Sequence, residues 1–129
     1  MRPDNTHILN KLTAEIRETF TSDDELKFEN IIKLPYMNAV IEEGLRMFPS
    51  APIGFVRTVP EGGDTVSGHW VPGGTTVSVG MWASTKSERN FKDPYIFRPE
   101  RWMDKDNATD KLGASNPFSM GPRGCIGKK

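Results

Sequence analysis

Apolar residues fall at helical spacing over the first part of the chain and lose that rhythm afterwards. Ile8, Leu9, Leu12, Ile16 and Phe20 recur at three- and four-residue steps, which predicts an amphipathic helix over residues 4–20. Asp4, Asn5 and Thr6 precede the stripe and are capping types. Ser22-Asp23-Asp24-Glu25 resembles a capping box and predicts a short second helix through Ile31. Pro35 suits the first position of a third helix, over residues 35–48, stopped by Pro49. At 100° per residue its apolar arc holds Tyr36, Ala39, Val40, Gly44, Leu45 and Met47, together with Met37, Ile41 and Phe48. Asn38 and Glu42 lie opposite. Glu43 falls inside the apolar arc, and Arg46, three residues on, lies at its margin within reach.

The period changes after Pro49. Residues 51–58 read as extended. Thr65-Val66-Ser67 and Thr75-Thr76-Val77-Ser78-Val79 are β-branched and partly alternating, with Gly68 and Pro72-Gly73-Gly74 as turn signals. They predict a small antiparallel ribbon, with His69 and Trp70 in a turn. A short helix is expected over residues 81–89. Residues 90–116 show no sustained period, and a long irregular stretch in a compact domain is often functional.

Composition narrows the possibilities. The chain has 129 residues, and its 17 Lys and Arg balance 17 Asp and Glu. That zero net charge excludes a general nucleic-acid binder, which needs a basic excess or stripe. Mean hydropathy is −0.53, and no apolar run is long enough to span a bilayer. The 12 glycines and 10 prolines imply many turns. A single cysteine excludes an internal disulfide, and with only His7 and His69 beside it gives poor material for a structural zinc site.

The chemistry concentrates in residues 117–129, PFSMGPRGCIGKK. Glycines on both sides of Cys125 let backbone pass close and turn N–H groups toward the sulfur. Arg123 adds a positive charge, and a helix beginning after Cys125 would add its positive end. All three favour a thiolate, which is either a nucleophile or a metal ligand. The two histidines lie far upstream, so a cysteine nucleophile lacks a base of recognised spacing. A packed structural cysteine is the ordinary alternative, but four small or aliphatic neighbours make a poor core.

Phe118-x-x-Gly121-x-Arg123-x-Cys125-x-Gly127 resembles the haem-binding loop of the cytochrome P450 family. Glu43-Gly44-Leu45-Arg46 matches the family's E-x-x-R pair on a helix. Pro99-Glu100-Arg101-Trp102 matches its PERF-like element, with Trp for Phe. The three motifs stand in the family's order, in a style common in fungal members.

The resemblance implies an α+β fold: mainly helical, with a small antiparallel β ribbon and a long irregular segment before the cysteine loop. It implies one partial domain over residues 1–129, the C-terminal part of a haem-thiolate monooxygenase, with the E-x-x-R helix at 35–48 and the haem-ligand loop at 117–127. Cys125 would be the axial thiolate ligand of haem b iron. Phe118 would shield the iron–sulfur bond, and Arg123 and Arg57 would pair with haem propionates. Ala51, Pro52 and Ile53 would lie toward the substrate, while Trp82 and Trp102 would be packing residues. Glu43, Arg46 and Arg101 would form a structural cluster that locks the irregular stretch onto the helix.

The implied activity is insertion of one atom of dioxygen into a small organic substrate, with electrons from a flavoprotein reductase. A full-length eukaryotic parent would sit at the endoplasmic reticulum membrane through segments upstream. The alternative is a truncated, non-catalytic fragment with weak or no haem binding, and the fragment by itself is expected to be inactive.

Overall fold

A computed structural model describes residues 5–103 and 109–128. The N-terminal stripe forms helix α1, Thr6–Thr19. Asp4 lies outside the described residues, and Asn5 at the helix start makes no side-chain cap bond. The expected second helix is broken in two. A 3-10 turn, Asp23–Glu25, precedes a four-residue helix α2, Phe28–Ile31. Ser22 makes no cap bond, and the Glu25 carboxylate instead accepts the Thr21 N–H at 2.8 Å, one residue early for a capping box.

Helix α3 spans Pro35–Met47 with the proline in its first turn. Its free N-terminal donors are satisfied by another helix. Glu15 on α1 accepts the N–H groups of Tyr36 and Met37 at 2.7 and 2.8 Å, placing a carboxylate where the helix dipole favours it. Ile8, Leu34, Tyr36, Ala39 and Phe91 are buried around this pair. The buried stripe of α3 is narrower than the apolar arc and displaced from it. Tyr36, Ala39, Glu43 and Arg46 face inward, while Ile41 and Phe48 are exposed. The reason is that α3 packs mostly on polar backbone from the irregular stretch, which two ionic side chains serve better than aliphatic ones.

The expected single ribbon is two separate antiparallel pairs. β1, Arg57–Thr58, pairs with β4, Thr76–Val77. Between them β2, Asp64–Val66, pairs with β3, His69–Val71. Ser67 and Gly68 both have positive φ, 51° and 82°, the backbone of a two-residue hairpin turn. His69 and Trp70 therefore lie in a strand, and the turn sits one step earlier than expected. Helix α4 is also shorter, Met81–Lys86. Gly54 has φ 76°, and a Cβ there would stand 1.9 Å from the Val79 carbonyl oxygen, so only glycine lets these two segments pass.

Candidate functional site: a buried charge cluster and an exposed cysteine loop

Glu43 is 0% exposed, as is Arg46, and Arg101 is 1% exposed. Arg46 binds the Glu43 carboxylate in a fork, Nε to Oε2 and Nη2 to Oε1, both at 2.8 Å. Its Nη1 donates to the carbonyls of Thr85 at 2.8 Å and Pro94 at 2.7 Å, which ties α3 to α4 and to the irregular stretch. Arg101 Nε reaches Glu43 Oε1 at 3.1 Å from the 3-10 turn Pro99–Trp102. Phe91 lies beneath both guanidinium groups, 5.1 Å from Arg46 and 5.8 Å from Arg101.

Two further donors complete the carboxylate. The Arg98 N–H gives to Oε1 at 2.9 Å, and the Trp102 indole N–H gives to Oε2 at 2.9 Å. Trp102 is thus a member of the cluster as well as a packing residue, a role sequence reasoning missed. Its signal was the indole itself, a donor in place of a phenyl ring. Burial pushes the Glu43 carboxyl upward, but its bonds to Arg46, Arg98 and Trp102 outweigh that and hold it below the usual range.

The same 3-10 turn is latched at its other face. Glu100 Oε1 accepts from Lys11 Nζ at 2.9 Å and from the Tyr36 hydroxyl at 3.0 Å. Burial and this carboxylate push the Tyr36 phenol up to about 12.

Lys86 borders the cluster without joining it. It is 7% exposed, and its ammonium lies 3.0 Å from Met47 Sδ and over the Trp82 ring at 5.0 Å. Among the described residues it makes no salt bridge. Burial, with Arg46 nearby, lowers it to about 8. A lysine lowered on folding costs stability while charged, below about pH 8, and the cost fades as pH rises toward 10.5. Lys86→Met is therefore expected to stabilise the protein by about 1–2 kcal/mol near neutral pH. Urea unfolding at pH 7 and at pH 10 checks this, with the gain shrinking at the higher pH.

Cys125 is exposed. Its loop is closed by its own N–H, which donates to the Phe118 carbonyl at 2.7 Å. Ser119 and Gly121 adopt positive φ, 60° and 70°, to make the reversal. The helical turn in this segment precedes the cysteine, at Gly121–Arg123, and residues 125–128 form a turn. Thus the expected helix start after Cys125 is not found among the described residues. The glycines turn the chain, but no N–H of the described residues bonds the sulfur. A Cβ on Gly127 would lie 3.6 Å from Sγ, an ordinary van der Waals contact, so Gly127 sits directly beside the sulfur.

Arg57 lies in β1 and Arg123 in the 3-10 turn, both exposed. Among the described residues neither makes a salt bridge; Arg57 Nη1 bonds only the adjacent Val56 carbonyl, at 2.9 Å. Arg57 lines a cavity of about 520 Å³ with Ala51, Phe55, Val79, Ser119 and Met120. Cys125, Phe118 and Arg123 do not line that cavity. Phe55, Val79 and Met120 are exposed apolar groups along it.

This donor set fits an iron porphyrin. An accessible soft sulfur suits iron, two cations without carboxylate partners suit propionates, and an open apolar surface suits the ring. No group of three or more His, Cys, Asp and Glu is placed to hold a bare metal ion among the described residues. No helix among them is long and apolar enough to cross a membrane.

Comparison with known proteins agrees with this chemistry. Residues 4–129 match the sequence model of the family described as Cytochrome P450. The chain is 50% identical over 122 residues to the cytochrome P450 monooxygenase aba2 of Botryotinia fuckeliana (strain B05.10), covering 94% of this chain and 23% of that protein. It is 48% identical over 127 residues to the cytochrome P450 monooxygenase traB of Penicillium crustosum, covering 96% of this chain and 25% of that protein. A solved zebra fish cytochrome P450 with abiraterone superposes with a TM-score of 0.79 at 29% identity, over 95% of this chain and 28% of that one. The chain therefore belongs to the cytochrome P450 family. It spans about a quarter of the length of the curated relatives it matches.

Proposed function

We propose that this chain carries the haem-thiolate part of a monooxygenase that puts one atom of dioxygen into a small organic substrate. The observation behind the reading is the exposed thiol of Cys125, held in a loop whose approach is anchored to α3 by a buried carboxylate–guanidinium cluster. In this reading the Cys125 thiolate would hold the iron of haem b. Haem held there would supply the oxygen-activating redox chemistry, with electron density from the thiolate favouring it.

The chain's own residues bind and orient. Arg57 and Arg123 would hold the two propionates, and the half-buried Phe118 would shield the iron–sulfur bond. Glu43, Arg46 and Arg101 hold the stretch that delivers the loop. A flavoprotein reductase as electron donor and an endoplasmic reticulum location belong to the same proposal for the whole protein. This stretch alone is expected to be inactive.

The test is a reduced, carbon monoxide-bound spectrum of the haem-loaded protein. A red-shifted Soret band is expected. An unshifted, imidazole-like band would overturn the reading.

A further inference from the structure

Three residues cannot balance the buried cluster. Glu43 brings one negative charge against two cations, Arg46 and Arg101, and the side chains of all three are 0% exposed. A net buried cation is costly unless something neutralises it. We propose that Asp110 is the fourth member of the cluster and the positioning residue that fixes the start of the segment leading to Cys125.

Its side chain is 0% exposed. Asp110 Oδ2 accepts from Arg101 Nη1, on the opposite side of the guanidinium from Glu43, and also from Arg98 Nη2 at 3.3 Å. Its Oδ1 accepts the Lys92 N–H at 2.6 Å. Two carboxylates now face the two fully buried guanidinium groups, so within the salt-bridged cluster each of these cations has a counter-charge, with the Lys86 ammonium at its border.

The position of Asp110 gives that pairing a direction. The next residue donates its N–H to the Asn90 carbonyl at 2.6 Å, and Ser84 Oγ holds the Ala114 carbonyl at 2.8 Å. Ser119 N–H then reaches Asn116, and the Cys125 N–H reaches Phe118. The start of the segment, from Asp110 to Ala114, is therefore fastened onto residues 84–92 by hydrogen bonds and onto Arg98 and Arg101 by ion pairs, and the bonds beyond it close the cysteine loop on itself. Arg101 is the shared post, bound to α3 through Glu43 and to the loop's leading segment through Asp110.

Asp110→Asn in the full chain tests this, since it keeps the shape and the acceptor for Lys92 while removing the charge. Hydrogen exchange of the haem-free protein gives a readout independent of the cofactor. The amides of Lys111, Ala114, Ser119 and Cys125 are expected to exchange about tenfold faster, the factor set by one charge-assisted hydrogen bond. Those of α3 are expected to quicken less than the loop amides, and Asp110→Glu is expected to restore part of the protection.

Loop amides at wild-type rates, or a uniform acceleration that includes α3, would overturn the positioning role. A second readout rests on the proposed function: haem-loaded Asp110→Asn is expected to lose the red-shifted carbon monoxide band to an unshifted one. If wild type lacks that band while exchange in the variant still quickens most at the loop, the haem reading fails and the role of Asp110 stands.

Discussion

Cys125→Ala is expected to remove the red-shifted carbon monoxide band completely and to leave the fold intact. The fold should survive because the thiol contributes little to packing. It is exposed, and its bonds among the described residues are backbone ones, its own N–H to the Phe118 carbonyl and the Lys128 N–H to its carbonyl, which alanine keeps. The ligand, by contrast, has no second thiolate to replace it in this segment, where Met120 offers only a neutral thioether. Ser119 offers a hard oxygen, and His7 and His69 belong to α1 and β3, outside the loop. Cys125→His makes the prediction two-sided. It is expected to retain haem through imidazole and to show the unshifted band. A band still red-shifted in Cys125→Ala would mean that something other than this sulfur holds the iron.

What the chain disclosed in advance follows from which forces are local. Glu43 could be placed inside because helix period is a local property, and a carboxylate in an apolar arc needs a cation. Arg46 is three residues away on the same helix, and Arg101 came from a motif. Asp110 and the Arg98 N–H could not be read. They lie in a stretch with no period, and only the folded path of residues 90–116 brings them to the guanidinium groups. Strand pairing was obscure for a related reason. Strands of two or three residues carry no usable alternation, so the Ser67-Gly68 turn, rather than the β-branched runs, decides which segments meet. Likewise Glu15 caps α3 from another helix, a tertiary contact that no cap rule applied along the chain could find.

Glu43→Gln is expected to cost about 3–5 kcal/mol and to abolish stable haem incorporation. The glutamine fills the same space, so the loss is electrostatic. Arg46 and Arg101 would remain buried with only Asp110 to offset them, and the amide's NH2 group would confront donors where an oxygen now accepts them. That cost is a large share of the roughly 5–15 kcal/mol that holds a domain together.

Trp102→Phe calibrates the claim. It deletes one neutral donor from the same carboxylate and is expected to cost only about 1–2 kcal/mol. The pH profile separates charge from shape. Both Glu43 and Asp110 titrate below their ordinary values of 4.5 and 3.8 in the folded protein. Their contribution is therefore complete above those values and is lost as pH falls through the lowered ones. Wild type should lose stability steeply at acid pH, and Glu43→Gln should lose less because one of the two carboxylates is already gone. Denaturant unfolding from pH 7 down to pH 3 measures both curves. Parallel curves, or a Glu43→Gln penalty no larger than that of Trp102→Phe, would show that the buried carboxylate does not hold this fold.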